Sequence, residues 1–169
     1  YKEAHDFAAV LLRWVEKYTP AEIAQHYSEP LSKMIENSEL TLLRVLHYPP
    51  VPQGQKVCRA SAHEDINLLT ILPAAAGAGL EIQDMNDQWV SVPPNPETVL
   101  INIGDMLQEA SGGYYPSTTH QVATPADHQA NFSRMSLPLF LHPRPDVKLS
   151  DRYTSKQYLQ ERLKELGVI

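Results

Sequence analysis

Two imidazoles and a carboxylate, His63, Asp65 and His120, offer the most specific chemistry in this sequence. The first two form an H-x-D pair within Ser61-Ala62-His63-Glu64-Asp65-Ile66-Asn67, and His120 follows Asp65 by 55 residues. Two histidines and one carboxylate make the facial triad that holds non-haem Fe(II) and leaves positions open for oxygen and a substrate. In a strand, residues i and i+2 share a face roughly 6–7 Å apart, so His63 and Asp65 should converge on one ion while Glu64 points away. A more distant strand must then bring in His120. An H-x-D pair alone is common, so its surroundings decide.

A second pair lies near the end of the chain, Arg134-Met135-Ser136, in the mostly apolar run Phe132–Leu141. Strand geometry puts Arg134 and Ser136 on one face. A buried arginine is costly unless an anion meets it, and its planar fork suits a carboxylate bidentately. Between Arg59 and Arg134 lie 74 residues without lysine or arginine, whereas nine acids fall there: Glu64, Asp65, Glu81, Asp84, Asp87, Glu97, Asp105, Glu109 and Asp127. Arg134 is thus the cation nearest in sequence to the third ligand, and the natural anchor for an acidic small molecule. The competing account of Arg134 is an ion pair with Asp105 or Glu109.

The elements that must position these groups are mainly β. Residues 1–40 read as helical, with Phe7, Val10, Leu11, Trp14 and Tyr18 on one face of a first helix. Thr19-Pro20-Ala21-Glu22 reads as a capping box opening a second helix at Pro20, and a short helix is expected over Leu31–Ile35. From Thr41 the pattern changes to short runs: Leu42–Tyr48, Val57–Ala62, Ile66–Leu72, Leu80–Gln83, Trp89–Val92, Val99–Asn102, Thr118–Ala123 and Ser133–Leu141. Met85-Asn86-Asp87-Gln88 is a hairpin signal between two of them. Many short strands with turn punctuation predict a sandwich or barrel, here a jelly roll (double-stranded β-helix) over residues 41–150. Over 151–169, Thr154-Ser155-Lys156-Gln157 is a capping box for a C-terminal helix with Leu159, Leu163 and Leu166 on one side and Gly167 as its stop. No internal repeat is present, and Pro73–Gly79, rich in alanine and glycine, is a short low-complexity patch.

Composition narrows the function classes. A chain of 169 residues with 43% hydrophobic and 20% charged residues is long enough for one good core. No apolar run reaches the length of a membrane span, and the N-terminus lacks a signal-peptide pattern. The one cysteine, Cys58, excludes an intramolecular disulfide and fits a reducing, cytoplasmic compartment; it reads as a small core residue. A net charge of −6 argues against nucleic-acid and anionic-membrane partners. His5, His26, His47, His128 and His142 lack ligand-like neighbours and read as surface or structural residues.

His63-Glu64-Asp65, Leu68-Leu69-Thr70-Ile71-Leu72, Gly79-Leu80-Glu81-Ile82, Trp89-Val90, Ile101-Asn102-Ile103-Gly104-Asp105, Ser117-Thr118-Thr119-His120-Gln121-Val122 and Arg134-x-Ser136-Leu137-Pro138 occur in one order. In that order and spacing, from about Leu42 to Pro145, the chain resembles the isopenicillin N synthase-like branch of the Fe(II)/2-oxoglutarate-dependent oxygenases. The resemblance implies iron on His63, Asp65 and His120, the distal carboxylate of 2-oxoglutarate on Arg134 and Ser136, and Tyr48 assisting near the cosubstrate. It implies a dioxygenase using O2 to oxidise a C–H bond of a small molecule, by hydroxylation, desaturation or cyclisation. It also implies an N-terminal region longer than the one here, so the chain, which begins at Tyr1, is expected to be the C-terminal part of such a protein.

The sequence departs from the family at Leu46 (commonly Asn), at Gln121 (commonly Arg) and at Ser111-Gly112-Gly113, where an asparagine is frequent. Some relatives use the Arg-x-Ser pair for a substrate carboxylate instead. Two readings from other classes stand beside the oxygenase: a zinc hydrolase on the same three ligands, and a non-catalytic jelly-roll module.

Overall fold

The computed structural model describes residues 1–52, 57–73, 77–124 and 131–169. Asp127, His128 and the middle of Pro73–Gly79 lie outside the described residues. The elements in chain order are α1 (Lys2–Tyr18), α2 (Ala21–Ala24), α3 (Leu31–Met34), β1 (Leu42–Leu43), β2 (Leu46–Tyr48), β3 (Ala60–His63), β4 (Leu69–Pro73) and β5 (Leu80–Gln83). They continue with β6 (Trp89–Ser91), β7 (Val99–Ile103), α4 (Asp105–Ala110), β8 (His120–Val122), β9 (Arg134–Ser136), β10 (Leu139–Leu141) and α5 (Ser155–Glu165).

The strands are antiparallel and form the sheets β1-β10-β4-β7 and β3-β8-β5-β6, with β2 and β9 paired as a third ladder. This is the expected jelly roll. The runs expected as single strands at Leu42–Tyr48 and Ser133–Leu141 are each interrupted, and one residue accounts for both breaks. Leu42 pairs with Phe140 and Leu46 with Ser136 in an unbroken register. Between them the Arg44 amide donates to the Pro138 carbonyl at 3.0 Å, but Pro138 has no N–H to return.

The two faces of β4 explain why its run is apolar on both sides, Thr70 excepted, rather than alternating. Thr70 and Leu72 face a cavity inside the roll. Leu69 and Ile71, with Leu139 and Leu141, face outward into a core completed by Ala8, Leu12, Leu31, Met34, Met106 and Leu107. The main hydrophobic core therefore lies between one sheet and the helices, leaving the interior of the roll free for chemistry.

Three local expectations are corrected. On α1 the buried side chains are Ala8 and Leu12, with Val15 partly buried, whereas Phe7, Trp14 and Tyr18 are exposed. Ala8, Leu12 and Val15 fall at i, i+4 and i+7, so the narrower aliphatic stripe docks on the sheet and the aromatic face turns away. The capping box at Thr19 does not form, because the Thr19 hydroxyl donates back to the Val15 carbonyl at 2.7 Å. Cys58 is exposed, its thiol donating to the Ala60 carbonyl, so it is not a core residue. By contrast, the box at Thr154 and Gln157 is complete, and Gly167 (φ +68°) stops α5 as expected. The hairpin between β5 and β6 also forms, with Asp84 accepting from the amides of Asn86 and Gln88.

Candidate metal centre and cosubstrate pocket

His63 and His120 stand directly opposite each other on β3 and β8. Ala60 opposes Val122, two residues from His120, yet lies three residues from His63, so β3 carries one extra residue. Without that bulge the His63 side chain would leave from the other face. The strand ends at His63, so Asp65 reaches the site from the turn beyond it. The expectation that both sit on one strand face is corrected in that respect.

That turn is held from behind by α4. The amides of Gly104, Asp105 and Met106 donate to the carbonyls of Leu68, Asp65 and Asn67 at 3.1, 2.9 and 3.1 Å. The free N–H groups of a helix start thereby satisfy the carbonyls of the ligand turn. Gly104 is required by the closeness of this contact: a Cβ there would lie 2.3 Å from the Asn67 carbonyl oxygen and 2.8 Å from that of Asp65.

The ligand atoms of His63, Asp65 and His120 all lie within 4.8 Å of one another. His63 Nε2 and His120 Nε2 are 3.8 and 3.7 Å from Asp65 Oδ1, too far for hydrogen bonds and suited to an ion between them. Each imidazole is oriented through its other nitrogen, Nδ1 lying 2.7 Å from the Ser61 carbonyl in His63 and 2.9 Å from the Thr118 carbonyl in His120. Donation from Nδ1–H fixes the tautomer that presents a lone pair on Nε2.

Asp65 is aimed in the same way. Its Oδ2 accepts from the Thr70 hydroxyl at 2.5 Å and from Asn102 Nδ2 at 2.8 Å. Thr70 Oγ1 itself accepts from Asn67 Nδ2 at 2.8 Å, which directs the hydroxyl proton toward Asp65. One carboxylate oxygen is thus fully engaged, and Oδ1 remains for the ion. Asn102 thus acts as a hydrogen-bonding support for Asp65. Thr70 was not singled out by the sequence, although a lone hydroxyl within Leu68-Leu69-Thr70-Ile71-Leu72 was its signal.

The triad forms part of the wall of a cavity of about 290 Å³ with aliphatic sides that include Leu72, Leu80 and Leu100. Arg134, Ser136 and Tyr48 also line it, on β9 and β2, with Tyr48 opposite Arg134 and Leu46 opposite Ser136. Arg134 is 4% exposed, and its Nε and Nη1 have no hydrogen-bond partner among the described residues. Burial pulls the guanidinium pKa below its ordinary value. Its Cζ lies 5.8 Å from the centre of the Tyr48 ring, whose own phenol is pushed up by burial and so stays neutral. The ion pair with Asp105 is not made: Asp105 receives Arg162 Nε of α5 at 3.2 Å instead. Leu46 brings a hydrocarbon wall where a polar amide is common, and Gln121 points away to Glu81 at 2.8 Å.

A family model for the 2OG-Fe(II) oxygenase superfamily matches residues 39–143. The chain is 34% identical over 163 residues to gibberellin 2-beta-dioxygenase 7 of Arabidopsis thaliana, covering 89% of this chain and 47% of that protein. It is 32% identical over 148 residues to the 2-oxoglutarate-dependent dioxygenase citB of Monascus ruber, covering 84% of this chain and 44% of that one. It therefore spans about half the length of the curated relatives it matches. Among solved structures, a Shewanella oneidensis protein assigned as an oxygenase is 53% identical with a TM-score of 0.91, over 100% of this chain and 63% of that one. A full-length Neurospora crassa protein, solved in complex with alpha-KG, is 28% identical with a TM-score of 0.66, over 73% and 48% of the two chains. These likenesses support an oxygenase over the zinc hydrolase and the non-catalytic module. With the triad and its jelly roll, they establish that the chain belongs to the 2OG-Fe(II) oxygenase superfamily.

Proposed function

We propose that this chain carries the iron and cosubstrate sites of a 2-oxoglutarate-dependent dioxygenase that oxidises a C–H bond of a small organic molecule. His63, Asp65 and His120 hold Fe(II), and Arg134 and Ser136 receive the distal carboxylate of 2-oxoglutarate, with Tyr48 beside them. Residues 41–150 form the oxygenase core, on which the helices of 1–40 and 151–169 pack. The observation that carries this reading is the buried guanidinium of Arg134, whose Nε and Nη1 have no partner among the described residues, lining the same cavity as the triad. A cation so placed is stabilised by an anion with two oxygens in its plane.

Fe(II), 2-oxoglutarate and O2 would together supply the oxidising power, and the protein would supply position and an apolar surround. Nδ1 donation turns both imidazoles so that Nε2 faces the ion. Thr70 and Asn102 fix Asp65 in one rotamer. The aliphatic wall gives the reacting region an apolar side, and Arg134 sets the far end of the cosubstrate. No helix among the described residues is long and apolar enough to cross a membrane. The lone cysteine and acidic balance support a cytoplasmic enzyme without nucleic-acid partners.

Iron-loaded protein should convert 2-oxoglutarate and O2 to succinate and CO2, slowly even without the organic substrate when ascorbate is added to reduce the second oxygen atom to water. Asp65→Ala should abolish this conversion, and Zn(II) should not replace Fe(II). Conversion at an undiminished rate in Asp65→Ala would overturn the assignment.

A further inference from the structure

The β2–β9 ladder runs Leu46↔Ser136, His47↔Met135, Tyr48↔Arg134, so the same register carried onward sets Val51 opposite Asn131. The ladder cannot continue to that point through its own backbone, because Pro49 and Pro50 have no N–H to donate. It therefore stops at the pair that contains Arg134, where a strand end would ordinarily fray. Asn131 closes the gap with its side chain. Its Oδ1 accepts from the Val51 amide at 3.1 Å, and its Nδ2 donates to the Val51 carbonyl at 2.7 Å. Both backbone groups of Val51 are satisfied in register by one carboxamide.

Arg59 extends this clamp across the roll. Its Nη2 donates to Asn131 Oδ1 at 2.8 Å and to the Phe132 carbonyl at 2.9 Å. The Arg59 amide donates to the Val122 carbonyl at 2.7 Å, on the strand that carries His120. A second cation thus ties the Arg134 strand to a metal-ligand strand through neutral acceptors. A ligand held at iron by one end and at Arg134 by the other needs those two points at a fixed separation.

We infer that Asn131, braced by Arg59, is a positioning residue that sets the placement of Arg134 and hence the affinity for the distal carboxylate of 2-oxoglutarate. This rests on the reading of Arg134 as that carboxylate's anchor.

The test compares two 2-oxoacids on anaerobic Fe(II)-loaded protein, 2-oxoglutarate and 2-oxobutyrate, the second lacking the distal carboxylate. Asn131→Ala should raise the Kd for 2-oxoglutarate about tenfold, the scale of one or two lost hydrogen bonds. Its Kd for 2-oxobutyrate should stay unchanged, which also reports an intact fold. Asn131→Asp, which keeps acceptors for Val51 and Arg59 but loses the donor, should be intermediate. Arg59→Ala, which spares the Val51 pairing, should shift the 2-oxoglutarate Kd in the same direction by a smaller factor. In an Arg134→Ala background, Asn131→Ala should add nothing. An unchanged 2-oxoglutarate Kd in Asn131→Ala, or equal weakening of both ligands, would overturn the inference. If Arg134→Ala alone leaves 2-oxoglutarate affinity intact, the anchor assignment fails first and the clamp's proposed role falls with it.

Discussion

At the residue scale, each of the three proposed ligands is turned by a hydrogen bond on the atom that faces away from the ion site, and this makes their roles separable. His120→Ala removes one of the two imidazole nitrogens proposed to bind the metal, so Fe(II) binding should weaken by at least about tenfold. Iron binding that matches the parent in calorimetry would exclude His120 as a ligand. Thr70→Val keeps the shape but strips one donor from Asp65, so iron should still bind, more weakly, and equal affinity would remove Thr70 from the support. Arg134→Lys should impair 2-oxoglutarate binding nearly as much as Arg134→Ala, because a point charge cannot reproduce the bidentate fork; the half-saturating concentration checks it. The candidate triad and Arg134, which the fold brings to one cavity, were readable from residue type and order alone. Thr70 and the Nδ1 acceptors were not, since those contacts depend on which backbone carbonyl lies beside each ring.

At the element scale, sequence pattern located most strands but not their ends or faces. Leu80–Gln83 was found within its true bounds, because hydrophobic alternation and a turn signal bracket it closely. The breaks at Pro138 and the bulge in β3 depend on partner strands, which period-two patterning does not report. Helix α4 was not anticipated, being a six-residue turn whose start is fixed by the carbonyls it caps. Gly104→Ala would drive a methyl into the Asn67 backbone, so it should lower iron affinity and Tm together, and a variant indistinguishable from the parent would contradict the packing described. On α1, Leu12→Ala should cost about 2–5 kcal/mol in chemical denaturation, as for a fully buried leucine. Trp14→Ala, on the exposed face, should cost little. The reverse ranking would restore the aromatic face as the buried one.

At the scale of the whole molecule, the C-terminal helix is tied by an ion pair, Arg162 on Asp105, to α4, which braces the turn carrying Asp65, and this couples stability to pH. Burial pushes the Asp105 carboxyl up to about 7, with Arg162 opposing. A folded-state value above the unfolded one of roughly 3.9 means that this group favours the fold fully below about pH 4. That contribution is lost as pH rises through 7. In metal-free protein, the stability of the parent relative to Asp105→Asn should therefore fall by a few kcal/mol between about pH 4 and 8. A pH-independent difference in urea midpoints would show that Asp105 ionises normally. The central claim is that triad and guanidinium form one site for one two-ended ligand. Anaerobic titration with Fe(II) and then 2-oxoglutarate tests it most directly: a visible charge-transfer band should appear, saturate at one equivalent, and require far more 2-oxoglutarate in Arg134→Ala. An iron-loaded protein that develops no band, or a band with the same midpoint in both proteins, would contradict it.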